Sequence, residues 1–218
     1  MKKNKFPVMP ESIDMILAGL ACALVFYYWF GIWGVLPPVL FIAFVLYFFR
    51  NPKREYIGPE NDLISPADGV IQYIGEVDEN RYIKGRTIKI SIFMNVFNVH
   101  VNRLPIDANI EYVDYVKGKF LPAFKSHASD INERNYLGIS SLLYPDKKIL
   151  LVQITGFIAR RIVCWAKPAE KYSRGDLFGL IKFGSCVEIY VPLGTDIIVQ
   201  CGQKVRGGET VLGRIKNE

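Results

Sequence analysis

Three side chains in this sequence could together activate a weak nucleophile. They are Asp68 in "SPADG", His100 in "FMNVFNVHVNRLP" and Ser185 in "FGSC". In such a set a carboxylate orients an imidazole, and the imidazole takes a hydroxyl proton. Taken singly, each has a plain structural use. Asp-Gly makes turns, a histidine ending an apolar strand packs into a core, and Gly-Ser before a strand is punctuation. The serine-hydrolase use of the set needs G-x-S-x-G on a strand-to-helix turn. Ser185 is flanked instead by Phe183, Gly184, Cys186 and Val187, and a strand follows. The hydrolase pattern does not fit.

A different chemistry suits this context better. A serine hydroxyl can attack the carbonyl of the residue before it and turn the peptide into an ester. The attack needs a contorted backbone, which Gly184 permits at low steric cost. Elimination from the ester cuts the chain after Gly184 and leaves dehydroalanine, and loss of ammonia then yields a pyruvoyl group. Such a ketone forms Schiff bases with amines and serves as an electron sink, as PLP does. Metal chemistry is disfavoured. Cys22, Cys164, Cys186 and Cys201 show no CxxC spacing, the chain has 2 histidines, and the thiols read as free.

The elements that must position these residues are mostly strands. Alternating segments at Gly69–Val77, Thr87–Met94, Asn109–Val116, Lys148–Thr155, Val187–Val191 and Ile197–Val199 predict strands. Turn signals lie between them at Pro66–Gly69, Tyr144–Asp146 and Arg206–Gly208. Phe157–Trp165 is the best short helical candidate. The tail "VPLGTDIIVQCGQKVRGGETVLGRI" has the rhythm of a barrel-sandwich module, with bends at Gly202 and Gly207-Gly208. Lipoyl and biotinyl carriers share that rhythm, but their Met-Lys-Met and Asp-Lys-Ala attachment sequences are missing, so the fold hint stands without the carrier function.

The front of the chain differs in kind. Thirty-five residues, Met15 to Phe49, carry no charge. The run is too long for a signal-peptide core and ends in "LYFFRNPKR", without a small-residue cleavage site. Proline suits the first turn of a helix and disrupts its interior, so Pro37-Pro38 divides the run into helices at about 13–34 and 37–49. At ~1.5 Å per residue these are about 30 and 20 Å long. Lys2, Lys3 and Lys5 precede the pair, and Arg50, Lys53 and Arg54 follow it. The positive-inside rule puts both ends on the cytoplasmic side, as a re-entrant hairpin or two tilted spans. The expected fold is α+β, predominantly β: a barrel-sandwich (lipoyl-like) domain over 56–218 behind a membrane-associated helical hairpin over 1–55. The expected location is the cytoplasmic face of the cell membrane.

"SPADG", "FMNVFNVHVNRLP", "NERN", "GFIARRIV" and "FGSCVEIYVP" stand in this order, after a hydrophobic front that ends in "FFRNP". The chain thereby resembles the short, prokaryotic type of phosphatidylserine decarboxylase; archaetidylserine decarboxylases share the pattern. The resemblance covers essentially the whole chain. It implies self-cleavage between Gly184 and Ser185 into a β chain (1–184) and an α chain (185–218). The two chains would form a heterodimer, with room for further dimerisation. Ser185 would become the pyruvoyl cofactor, with Asp68 and His100 driving cleavage as a triad with it, and His100 serving again in decarboxylation. An aminophospholipid would be the substrate, in phospholipid biosynthesis. Arg160, Arg161 and Lys182 are candidate phosphodiester partners, because an anionic headgroup needs cations or several donors. Phe97 and Phe183 could form an apolar wall that disfavours the departing carboxylate. Two departures stand out. Larger family members have Leu-Gly-Ser-Thr at the cleavage site, where this chain has Phe183 and Cys186. They also carry a second histidine where this chain has Phe97.

The net charge of +6 suits an anionic partner, lipid or nucleic acid. No RNP-like motif or clustered basic helix supports nucleic acid. A non-catalytic, membrane-tethered barrel-sandwich adaptor is the competing reading. It would call for long coiled-coil heptads and an outside location, whereas the chain has no sustained heptads and its flanking charges point inward. His127 and Asn132–Asn135 read as loop residues without chemistry.

Overall fold

A computed structural model describes residues 6–118, 131–156, 161–182 and 185–216. The chain forms two compact units, Met1–Lys53 and Arg54–Glu218.

The first unit is helical from Pro10 to Phe48, but it turns on itself. Helix α1 (Ile13–Phe30) gives way at Gly31–Val35 to a 3-10 turn, and α2 (Leu36–Phe48) follows. The reversal therefore begins earlier than the expected end of the first helix near residue 34. Pro37 and Pro38 lie in the first turn of α2, where a missing N–H breaks no intrahelical bond. The ends meet: Val8 bridges Arg50 in antiparallel fashion, the Met9 N–H donates to Phe49 O (2.9 Å), and the Asn51 N–H donates to Pro7 O (2.7 Å). By length and composition the helical run Pro10–Phe48 is apolar enough to cross a membrane. Only 17% of its most apolar window is buried, and Trp33 is 83% exposed, so its apolar surface faces outward.

The second unit is built of strands. Its first half holds β1 (Asp62–Ile64), β2 (Gly69–Glu79), β3 (Gly85–Met94), β4 (Val101–Arg103) and β5 (Ala108–Val116). Then come β6 (Arg134–Ser141), β7 (Lys148–Thr155), β8 (Arg161–Cys164), β9 (Lys171–Tyr172) and β10 (Leu177–Lys182). The last are β11 (Ser185–Pro192), β12 (Asp196–Ile197), β13 (Lys204–Val205) and β14 (Val211–Arg214). Eight form one curled, half-barrel sheet in the order β13-β2-β3-β11-β7-β6-β5-β9. Two three-stranded sheets, β4-β10-β8 and β1-β14-β12, complete the unit. The fold is α+β and predominantly β, as the alternation implied. In the tail the bends fall at Gly202 (φ 84°) and Gly208 (φ 82°), a region glycine enters without steric cost.

Period-2 alternation gives the large sheet two apolar faces. Ile90, Ile92, Leu137, Ile139, Ile149, Leu151, Val187, Ile189 and Val191 point inward, onto Leu104, Ile106, Phe178 and Ile181. Tyr136, Leu150, Val152, Ile154 and Cys186 form a smaller cluster on the other face, packed with Tyr82 and Tyr112. The helix expected over Phe157–Trp165 is not formed in its described part. Arg161–Cys164 is β8, paired in register with β10 (Gly179↔Cys164 to Lys182↔Arg161). Ile162 and Val163 are β-branched, and pairing with a neighbouring strand outweighs a weak helical period.

Candidate active site

One end of the curled sheet gathers the chemistry. At the last register positions Ser185 pairs with Met94 of β3 on one side and with Thr155 of β7 on the other. Val70 pairs with Phe93, so the start of β2, and Asp68 before it, reach the same end. On the far side the Thr155 N–H donates to Glu133 O (3.0 Å). Ser185, Met94 and Thr155 are fully buried and share the inner face. The Ser185 hydroxyl donates to Met94 Sδ (3.4 Å), and the Asn102 amide reaches the same sulfur (3.9 Å). Of Asn132–Asn135, expected in a loop, Asn132 and Glu133 precede β6, whereas Arg134 and Asn135 are its first residues, paired with β5 and β7. Asn132 Nδ2 donates to Thr155 O (2.7 Å), tying the loop to the end of β7.

His100 comes to this end through the small sheet. Its carbonyl accepts from the Ile181 N–H (3.2 Å), near the end of β10 and shortly before the Gly184–Ser185 bond. The ring is 2% exposed and Nδ1 lies 3.0 Å from Asn98 O. A carbonyl oxygen only accepts, so the neutral ring carries its proton on Nδ1 and its basic lone pair on Nε2. Ser185 and His100 are thus brought to adjoining strand ends.

Asp68 is held differently. Its carboxylate takes both terminal nitrogens of Arg54, Nη1 on Oδ1 and Nη2 on Oδ2 (2.8 Å), and the Gly207 N–H (2.8 Å). Arg54 Nη1 also donates to Gly207 O (2.6 Å), with Glu209 at 3.7 Å from Nε. Burial works against the Arg54 charge, but the hydrogen bond and charge of Asp68 more than offset it, and its pKa rises. Beside it, burial and the like charge of Arg54 hold Arg103 down to about 10. Among the described residues, the Asp68 carboxylate is bonded to Arg54 and Gly207 rather than to His100.

The remaining candidates divide. Lys182 and Arg161 are paired across β10 and β8 at this end, so two cations stand side by side in register. Phe97 is 65% exposed, in a turn braced by Asn98 Oδ1 on the Asn95 N–H (2.9 Å) and Asn95 Oδ1 on the Phe97 N–H (2.9 Å). Arg160, Phe183, Gly184 and His127 lie outside the described residues. Near Arg161, burial and then a hydrogen bond to Glu133 push the Tyr115 hydroxyl up to about 12.

The strand alternation that turns Ser185 inward turns Cys186 outward, where its Sγ lies 3.0 Å from Ser91 Oγ. Burial, then the charge of Glu188, pushes the thiol from 9.0 up to about 12. At pH 8.5 Cys186 in the folded protein is expected to resist alkylation while exposed Cys201 reacts, read by peptide mass. Equal labelling would contradict that burial. The stability this raised value confers is full below about pH 9 and is lost as pH climbs towards about 12, because only the unfolded chain ionises in that window.

Sequence reasoning missed Arg54, Asn102, Gln153 and Thr155. Arg54 and Asn102 stood inside quoted motifs, but nothing in one dimension shows which side chain each faces.

Residues 41–213 match the family model described as phosphatidylserine decarboxylase. The chain is 57% identical to a protein of Carboxydothermus hydrogenoformans over 84% of both chains. It is 49% identical to one of Desulfotalea psychrophila over 81% of this chain and 82% of that one. It is 43% identical to one of Citrifermentans bemidjiense over 98% of this chain and 99% of the relative. Each of these relatives is named phosphatidylserine decarboxylase proenzyme. With most of its length matched to the family model and relatives up to 57% identical over 84% of the chain, this chain belongs to the phosphatidylserine decarboxylase family.

Proposed function

We propose that this chain is a proenzyme that cleaves itself at Gly184–Ser185 and then converts phosphatidylserine to phosphatidylethanolamine and CO₂. The observation that carries the reading is the buried hydroxyl of Ser185 at the first position of β11, on a strand end adjoining that of His100. The relatives' description as proenzymes supports a processing step.

In the cleavage, Ser185 Oγ forms a bond to the Gly184 carbonyl carbon. His100 Nε2 accepts the hydroxyl proton and passes it to the Ser185 nitrogen as the C–N bond breaks. A base then removes the Ser185 Cα proton, the Cβ–O bond breaks, and Gly184 leaves as a carboxylate. The enamine left behind tautomerises, adds water and loses ammonia. The net change is one water consumed and one ammonia released. Asp68 contributes by fixing the start of β2 through Arg54 and Gly207, and His100→Ala and Asp68→Ala are both expected to impair processing.

The pyruvoyl group fits the site, because its three carbons are those of Ser185 itself, already enclosed beside Met94 and Asn102. When formed, it would supply a ketone reactive towards the substrate amine and an electron sink for loss of CO₂. His100 would return a proton to the substrate carbon. Lys182 and Arg161, with Arg160, offer cations to the phosphodiester. Phe97 would offer the substrate an apolar side chain, the role the sequence also suggests for Phe183. The chains 1–184 and 185–218 stay together as a heterodimer, since β11 is hydrogen-bonded on both edges by strands of the longer chain, and such heterodimers would be free to pair further. The division we propose is a membrane-associated hairpin over 1–55 and a catalytic part over 56–218. The hairpin, with its basic flanks, holds the enzyme to the cytoplasmic face of the cell membrane.

The test is CO₂ release from carboxyl-labelled phosphatidylserine in mixed micelles by the purified protein, with and without prior phenylhydrazine. Turnover abolished by the carbonyl reagent is expected. Turnover that survives it would overturn the ketone, and a cleaved, folded protein without turnover would overturn the substrate.

A further inference from the structure

Three amide side chains lie buried on the inner face beside Ser185 and Thr155. Asn102 and Gln153 are fully buried and Asn135 is 2% exposed. Burying an amide costs free energy unless its groups are bonded, and these three bond to one another in series. Asn135 Nδ2 donates to Gln153 Oε1 (3.1 Å), and Gln153 Nε2 donates to Asn102 Oδ1 (2.8 Å). The Asn102 carboxamide oxygen is therefore taken, and its NH₂ is turned to Met94 Sδ (3.9 Å), the sulfur that also receives the Ser185 hydroxyl (3.4 Å). The opposite strand makes room for this. Gly179 is the register partner of Asn102, and a Cβ there would sit 2.7 Å from Gln153 Nε2.

Resting on the self-cleavage reading, we infer that Asn102 is the donor to the oxygen that gains negative charge when Ser185 Oγ attacks, and that Gln153 and Asn135 are the positioning residues that turn its amide. When the bond forms, the attacked carbon is covalently joined to Oγ. Its oxygen is then two bonds from Oγ, and Oγ and the Asn102 NH₂ both reach the Met94 sulfur, at 3.4 and 3.9 Å. A fixed donor aimed where charge develops, and shielded from water, is the most effective single device for acyl transfer. No proton leaves Asn102; the oxyanion collapses as the C–N bond breaks.

The full chain, purified in detergent, is followed by intact mass after denaturation, with and without hydroxylamine, which cuts an ester but not a peptide. Asn102→Ala is expected to slow cleavage about 100- to 1,000-fold, the usual effect of removing one such donor. It should stall before the ester, so that hydroxylamine leaves the precursor whole. Asn102→Asp keeps the size and the oxygen that Gln153 uses while removing the donor; it should fold where alanine does not and be equally slow. Gln153→Glu, which takes away the bond that turns Asn102, should slow the same step. Cleavage at the unmodified rate in either folded Asn102 variant overturns the inference, as does a stalled precursor that hydroxylamine cuts at Gly184, which would place the residue in elimination. A native sequence that never cleaves would instead sink the processing reading itself.

Discussion

Replacing Ser185 by alanine is expected to leave a single, uncut chain of 218 residues with no carbonyl and no decarboxylation. The change removes one oxygen from a fully buried side chain whose hydrogen bond is a weak one to sulfur. Losing such a bond with its hydroxyl costs about 1 kcal/mol, and alanine has no group left unsatisfied. The backbone pairs of β11 with β3 and β7 do not depend on the side chain. Folding should therefore survive while chemistry disappears. Thermal melting and intact mass together separate the two. A variant that melts like the native sequence and still yields two chains would remove Ser185 from the cleavage.

The second large effect is expected at Arg54. The Arg54 and Asp68 side chains are 8% and 12% exposed. Removing one partner of a buried pair strands the other charge, at about 3–5 kcal/mol, a large share of the margin of an ordinary domain. Arg54→Ala should lower the melting temperature of the β unit and slow processing. Arg54→Lys keeps the charge but loses the two-pronged contact and should fall between. Arg54→Ala combined with Asp68→Ala should cost less than the two single effects added, since the second removal relieves the stranded charge. The comparison also assigns the role of Asp68. If the carboxylate works by fixing the start of β2 and the Gly207 turn, both single variants slow cleavage. Cleavage that quickens in folded Arg54→Ala would mean that Arg54 holds Asp68 away from a direct role.

Much of this was legible in the sequence, and the gaps have physical causes. The uncharged run from Met15 to Phe49 and its basic flanks announced the hairpin, and Pro37-Pro38 marked the start of α2. The strands with one polar face, such as β2 and β5, were visible by alternation. Two of those buried on both faces, β6 and β10, were not. In β6 every residue after Arg134 is buried, and in β10 every residue before Lys182, so neither shows a period. Each also contains a glycine that reads as a break. In the fold these glycines make room instead, Gly138 for the ring of Tyr82 and Gly179 for the amide of Gln153. β8 was misread as helical because its strand character comes from β10, a partner the local sequence does not show.

The candidate site was legible by residue type and not by contact. Asp68, His100 and Ser185 stood out as acid, base and nucleophile. That Asp68 would bind Arg54, 14 residues back, and the amide of Gly207, 139 residues on, follows from how the loops meet. Asn102 and Gln153 looked like ordinary strand residues, because a buried amide differs from an exposed one only once the sheets close over it.

The central claim is that Ser185 ends as the first group of a new chain. Intact mass of the purified protein under denaturing conditions tests it directly. Two chains are predicted, 1–184 and 185–218, the smaller lighter than its serine-ended form by the mass of ammonia and shifted by a carbonyl reagent. A single uncut mass in a preparation that decarboxylates phosphatidylserine would contradict the account.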